Sequence, residues 1–195
     1  MAQCLLMIRH GEKPTNGDSG VDAEGRATPS GLTPRGWQRA GALAVVLGPN
    51  SSTGHSALPR PAALVAPAYP EPAHRPYLTL LPLAQLLGRS IETRYAVDAD
   101  PAQIAASLLA SDAAVVLLCW EHRRLVDIAH AVAAGGRVAN ADDIPRVWPD
   151  HRFDLVWRFD LDVATRAWTF VALDQRLLAG DQISDGPNHE PRPAE

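Results

Sequence analysis

The stretch LLMIRHGEKP, residues 5–14, decides the start of the fold. Residues 4–8 are continuously apolar, as strands in the middle of a parallel sheet tend to be. Residues 11–31 are polar and rich in glycine and other turn formers, which predicts a loop. Arg9 and His10 therefore stand where a buried strand gives way to a loop.

The rest of the chain alternates between apolar runs typical of strands and periodic segments typical of helices. Thr33 and Asp100 are predicted helix N-caps, because each carries a side-chain oxygen and directly precedes a proline. Pro82 falls inside one predicted helix and is expected to kink or shorten it. The predicted helices are 34–47, 74–87, 101–109 and 121–134, and the predicted strands are 4–8, 62–66, 90–93, 113–119, 153–161 and 166–173.

This order of elements predicts an α/β fold, a three-layer sandwich in which helices flank a mostly parallel central sheet. The last two strands alternate apolar and polar residues around a turn at 162–165, which predicts a C-terminal β-hairpin. The length of 195 residues fits a single domain, which we place at 1–180. Residues 181–195 contain three prolines and no apolar period, so we predict a flexible tail.

The composition excludes several classes of protein. A hydrophobic fraction of 46% with 21% charged residues is that of an ordinary soluble domain. The net charge of −4 argues against a protein that coats nucleic acid. Cys4 and Cys119 are too few for a disulfide framework or a four-cysteine zinc site. No apolar run approaches the roughly 20 residues that span a bilayer, and no signal peptide is recognisable, so we predict a cytoplasmic protein without a membrane partner.

Two histidines occupy equivalent positions after apolar strands. His10 follows the first strand, and His122 follows the strand at 113–119 and begins a helix. Functional groups collect at the carboxyl ends of strands in open parallel sheets, so the two imidazoles are expected to share a pocket. A helix N-terminus favours an anion, and Arg9 adds positive charge. This combination predicts a pocket for phosphate.

The residues around His10 also resemble a known family, the histidine phosphatase superfamily of phosphoglycerate mutase-like phosphatases. Arg9, His10 and Gly11 match its RHG signature. The resemblance covers residues 3–173. Three further segments are similar to parts of the family, namely GLTPRGWQRA at 31–40, HRPYLTLLPLAQLLG at 74–88 and VVLLCWEH at 115–122.

The resemblance implies metal-independent hydrolysis of phosphomonoesters or phosphoproteins through a phosphohistidine, with no cofactor. Neutral His10 would attack the phosphorus as the nucleophile. Arg9, Arg75 and His122 would bind the phosphoryl oxygens and offset their charge in the transition state. A carboxylic acid would protonate the leaving oxygen, and Glu121, beside His122, is the candidate that we favour.

Two of these assignments keep alternatives. The serine–proline pair that precedes the family's second arginine is missing here, which makes Arg60 a rival to Arg75. Glu12 and Glu92 are alternatives to Glu121 as the proton donor, because the family's glutamate motif is missing from the middle of the chain.

Two other functions compete with a phosphatase. A phosphoglycerate-type mutase is one, although the chain is short and lacks the middle glutamate motif. A phosphate-binding regulatory module with weak or no catalysis is the other, because the acid is not identified. A nucleotide-dependent dehydrogenase is disfavoured, since no G-x-G-x-x-G follows the first strand. The sequence predicts neither the alcohol part of the substrate nor the oligomeric state.

Overall fold

The fold is built on a six-stranded sheet, seen in a computed structural model that describes residues 1–15, 19–49, 58–70 and 74–182. A two-stranded ribbon, not predicted from the sequence, lies apart from this sheet within the loop after the first strand. The strands are β1 (Cys4–Arg9), β2 (Gly20–Val21), β3 (Ala27–Thr28), β4 (Ala63–Val65), β5 (Ile91–Glu92), β6 (Val115–Trp120), β7 (Leu155–Asp162) and β8 (Ala167–Asp174). The α-helices are α1 (Pro34–Leu47), α2 (Arg75–Leu87), α3 (Pro101–Leu109) and α4 (His122–Gly136).

The strand order is β5-β4-β6-β1-β7-β8, with β1 near the middle. The four strands from β5 to β1 run parallel to one another, whereas β7 is antiparallel to both β1 and β8. The fold is therefore the predicted α/β sandwich, with a mostly parallel sheet that ends in a C-terminal hairpin. Every predicted strand and helix of this sandwich is found, with ends within two residues of those predicted.

Alternate residues of β1 point to opposite layers of helices. Leu6 and Ile8 pack in one apolar cluster with residues of α1 and α2. Leu5 and Met7 pack in the other cluster, with residues of α3 and α4. Because helices cover both faces, all six residues of β1 are buried, which explains its unbroken apolar run.

The helix ends follow the sequence signals. The hydroxyl of Thr33 accepts a hydrogen bond from the Gly36 N–H, and the Asp100 carboxylate accepts one from the Ala102 N–H, so both predicted caps are present. Pro82 was predicted to kink or shorten its helix, and the shortening is not found, because α2 continues to Leu87. The apolar face of α2 is buried on both sides of the proline, and this burial offsets the missing backbone hydrogen bond.

No helix in the described part of the chain is long and apolar enough to cross a membrane. The predicted tail lies outside the described residues from position 183 onward. Asp181, the first residue of that predicted tail, is described, and the Asp181 carboxylate forms an ion pair with Arg39 of α1.

Arg39 joins three parts of the chain at the edge of the core. The residue is 1% exposed, and its guanidinium donates to Glu12 at 2.7 Å, to Asp181 at 2.8 Å and to the side chain of Gln175 at 3.1 Å. Glu12 belongs to the loop after β1, whereas the other two acceptors follow β8. Charged hydrogen bonds from one buried group therefore hold the loop that carries His10 against the C-terminal residues.

We expect Arg39→Met to lower the free energy of unfolding by about 3–5 kcal/mol, because it leaves two carboxylates without their buried partner. Urea unfolding followed by circular dichroism measures the change. Arg35→Met is the matched control, since Arg35 reaches the same two carboxylates at 3.2 and 3.3 Å from a side chain that is 43% exposed. The control is expected to cost about 1 kcal/mol or less. Equal losses in the two variants would contradict the structural role of Arg39.

Candidate active site

The register of the central strands brings the two predicted histidines to one edge of the sheet. β1 and β6 pair in parallel with Arg9 opposite Trp120, and the His10 N–H donates to the Trp120 carbonyl at 3.2 Å. His10 and His122 therefore follow neighbouring strands at their carboxyl ends, as predicted. His122 is also the first residue of α4.

His10 is held as a neutral imidazole. Its side chain is buried, and Nδ1 lies 2.7 Å from the Gly11 carbonyl, which can only accept. Nδ1 therefore carries the proton, and Nε2 keeps its lone pair. Burial lowers the pKa of His10 to about 3, and the neighbouring positive charge of Arg9 adds to the effect.

The backbone beside His10 is fixed by a close approach to two helices. The Gly11 N–H donates to the Thr79 hydroxyl of α2 at 2.8 Å, and that hydroxyl donates to the Arg75 carbonyl at 2.7 Å. A Cβ on Gly11 would lie 2.9 Å from the Gly36 carbonyl oxygen of α1, too close without a backbone shift. The RHG turn thus needs glycine for its packing between α1 and α2.

Arg9 is a buried cation, and some of its N–H groups form hydrogen bonds while one has no acceptor among the described residues. Its guanidinium lies 3.8 Å from the centre of the Phe153 ring and donates to the backbone carbonyls of Asp150 and Arg152. Its Nε is buried and has no hydrogen-bond partner in the described part of the chain. Burial lowers the pKa of Arg9 to about 10, so it still carries its charge at neutral pH.

Arg75, rather than Arg60, lies at the pocket that contains His10. Arg75 begins α2, donates to the Pro29 carbonyl at 2.9 Å, and lines the same cavity as His10. Like Arg9, it has a buried Nε without a partner among the described residues. Arg60 donates instead to the Pro49 carbonyl and does not line the cavity.

His122 is oriented by a carboxylate. Its Nε2 lies 2.6 Å from the Asp150 carboxylate, and Arg123 is 3.9 Å from the other oxygen of that group. Burial and the charge of Arg9 lower the pKa of His122, although Asp150 acts in the opposite direction. The hydrogen bond from His122 lowers the pKa of Asp150. Asp150 therefore touches two predicted site residues, His122 with its side chain and Arg9 with its carbonyl.

The three candidate proton donors lie in different places. Glu121 lines the cavity with His10, and its carboxylate accepts a hydrogen bond of 2.7 Å from the Tyr69 hydroxyl. Glu12 is bound by Arg39 and does not line this cavity. Glu92 lies on the edge strand β5 and lines a separate groove of about 720 Å³, which has no histidine among its lining residues.

The cavity beside His10 has a volume of about 280 Å³. Its described lining residues are His10, Ser30, Tyr69, Pro70, His74, Arg75, Pro76 and Glu121. The described residues contain no cluster of three or more His, Cys, Asp or Glu side chains that could hold a metal ion.

Sequence reasoning missed Asp150, Phe153 and Tyr69 as neighbours of the predicted site. Tyr69 had a usable signal, because it follows β4 at the same sheet edge as His10. Asp150 and Phe153 lie in an irregular segment before β7, where no periodicity indicates which side chains turn inward.

Comparison with known proteins identifies the fold. No family model matches the sequence, and no curated protein sequence matches it significantly. Among solved structures, a mycobacterial glucosyl-3-phosphoglycerate phosphatase in a vanadate complex matches with a TM-score of 0.51 at 17% identity, over 88% of this chain and 97% of that one. An Agrobacterium tumefaciens protein assigned as a phosphohistidine phosphatase matches with a TM-score of 0.54 at 16% identity, over 89% and 98%.

A phosphoserine phosphatase of Entamoeba histolytica matches with a TM-score of 0.50 at 12% identity, over 90% of this chain and 98% of that one. At such identities the likeness extends to the architecture, which these three structures share over nearly their full lengths. The likeness to these three phosphatases confirms the α/β fold that the sequence predicts.

Proposed function

We propose that this chain hydrolyses phosphomonoesters through a phosphohistidine on His10. The observation that carries the proposal is the state of His10, a buried neutral imidazole with its proton on Nδ1, at a cavity that also contains Arg75. A nucleophile needs a lone pair, and Nε2 of His10 offers one at any pH well above 3.

The phosphoryl group is bound by Arg9, Arg75 and His122. The buried Nε atoms of both arginines have no partner in the described part of the chain, and buried donors of this kind normally find an acceptor. Phosphoryl oxygens would satisfy both of them. The Nε2–H of His122 donates to the Asp150 carboxylate, and on binding it would donate to a phosphoryl oxygen in place of that carboxylate. Such preorganised donors offset the charge that the transition state spreads over its oxygens.

Glu121 supplies and recovers the proton. In the first step the Nε2–P bond forms, the P–O bond to the alcohol breaks, and the leaving oxygen takes the proton of Glu121. In the second step the Glu121 carboxylate takes a proton from water, which attacks phosphorus, and the N–P bond breaks to release inorganic phosphate. Among the three candidates, Glu121 is preferred because it lines the cavity. Neither step calls on a metal ion or a cofactor.

The substrate is a phosphorylated small molecule or a phosphorylated protein side chain. The likeness to solved phosphatases supports the reaction class, and the geometry around His10 supports the route. Neither a mutase nor a catalytically silent module has an observation of its own in favour.

We expect His10→Ala to lower kcat/KM for phosphomonoesters by roughly 10³-fold or more, because the nucleophile is lost. A rapid quench at alkaline pH, where the N–P bond survives, should trap labelled phosphate on the parent chain and none on the variant. His130→Ala, at an exposed position of α4, is the control for loss of an imidazole. Full activity in His10→Ala would contradict the proposal.

We expect Glu121→Gln to lower kcat by roughly 10²-fold or more for an alkyl phosphate, because an alkoxide needs a proton to leave. Phosphorylation by 4-nitrophenyl phosphate should be much less affected, since nitrophenolate leaves without one. Stopped-flow release of nitrophenolate should then show a burst, because the Gln side chain cannot activate the water of the second step. Glu92→Gln is the matched control. Equal losses with both esters would exclude Glu121 as the proton donor.

The burial of His10 makes a contribution to the pH dependence of stability. The unfolded chain binds a proton on this imidazole as pH falls through about 6.5, whereas the folded chain resists it to about pH 3. Stability therefore falls as pH drops below 6.5. We expect His10→Gln to reduce the loss between pH 7 and pH 5 by about 2 kcal/mol, measured by urea unfolding. His130→Gln should keep the loss of the parent chain. A parent-like loss in His10→Gln would contradict a neutral buried His10.

A further inference from the structure

The cavity beside His10 has a part that the phosphoryl group does not use. Beyond His10 and Arg75, its described lining consists of one small hydroxyl side chain, two prolines, two rings and one carboxyl group. These are Ser30, Pro70, Pro76, Tyr69, His74 and Glu121. In the proposed reaction this part faces the alcohol of the ester, so its chemistry decides which alcohols fit.

Two neighbouring rings, tilted relative to each other, line one side of this part. The centroids of Tyr69 and His74 are 4.2 Å apart with the planes inclined by 37°. His74 is 6% exposed, and its buried Nδ1 has no partner among the described residues. An unpaired buried polar atom costs about 1–3 kcal/mol, so a ligand atom that hydrogen-bonds to Nδ1 is favoured there. Burial lowers the pKa of His74 to about 4, so the ring is uncharged at neutral pH.

The charges around the alcohol part are unfavourable for a second anion. Arg75 is the one guanidinium or ammonium group among the described lining residues, and the phosphoryl group uses it. Glu121 adds a negative charge when it is ionised. An alcohol with its own carboxylate or second phosphate would therefore lose water without gaining a cation.

We infer that this site selects phosphomonoesters of compact alcohols that bear no negative charge and that offer a flat face to Tyr69 and a hydrogen-bonding group to His74. The inference rests on the proposed function, because it assumes that the phosphoryl group lies at His10. The proposed mechanism does not specify the alcohol of the ester, and the lining of the cavity does.

A matched pair of esters tests the selection. 4-(Carbamoylmethyl)phenyl phosphate and 4-(carboxymethyl)phenyl phosphate have the same size, and the methylene group keeps their leaving groups similar in reactivity. We expect kcat/KM to be at least about tenfold higher for the amide, because the carboxylate has no cationic partner. Isothermal titration of both esters into His10→Ala should give the same preference in Kd without turnover.

A new cation in the cavity should remove the preference. We expect Ser30→Lys to lower the amide-to-carboxylate ratio at least about fivefold, because the ammonium group can pair with the carboxylate. Ser30→Gln, which adds length without charge, should keep the ratio. Gln103→Lys, at an exposed position of α3, controls for net charge and should also keep it.

The outcomes separate the inference from the proposed function. Equal binding of the two esters, a preference for the carboxylate, binding of neither ester, or an unchanged ratio in Ser30→Lys would overturn the inference. If the parent chain hydrolyses neither ester while His10→Ala still binds the amide more tightly, the proposed function fails and the selection by the alcohol stands.

Discussion

The parallel pairing of β1 with β6 is the constraint on which the site depends. Because Arg9 lies opposite Trp120, the residues that follow each strand emerge side by side at one edge of the sheet. A slip of one residue would turn every side chain of β1 to the opposite layer and expose the mismatch in both apolar clusters. The packing of the core therefore fixes the distance between His10 and His122, although neither histidine belongs to the core.

Residues outside the sheet also help to position the groups of the candidate site. Thr79 joins the backbone of Gly11 to the first turn of α2, so the residue after His10 and the backbone of Arg75 are held by the same hydroxyl. Asp150 likewise accepts hydrogen bonds from both Arg9 and His122. Thr79 makes both contacts through its hydroxyl, whereas Asp150 uses its backbone carbonyl for Arg9 and its carboxylate for His122. Arg75 also donates to the Pro29 carbonyl, and Arg9 also donates to the Arg152 carbonyl, so each arginine has a further anchor of its own.

The sequence predicts the sandwich well because its signals are local. An unbroken apolar run such as 115–119 and a capped helix such as α3 can each be recognised from a few consecutive residues. His10 and His122 are predictable for the same reason, since strand ends and helix starts are local. The contacts of Asp150 and Tyr69 are not predictable in this way, because they join segments far apart in the chain. They also depend on the direction of side chains in loops that have no periodic sequence pattern.

Burial of the site raises the free energy of the ligand-free chain in two ways. Burial keeps His10 uncharged, which is costly in acid but leaves its lone pair available, and it leaves one donor on each of Arg9 and Arg75 without a partner. A chain with a net charge of −4 nevertheless places two arginines, Arg9 and Arg75, close enough to His10 for their positive charges to lower its pKa. Glu12 and Asp181 form their ion pairs with Arg39 and Arg35. The net negative charge of the chain is therefore compatible with the proposed binding of a phosphate ester, because two of its carboxylates are paired with Arg39.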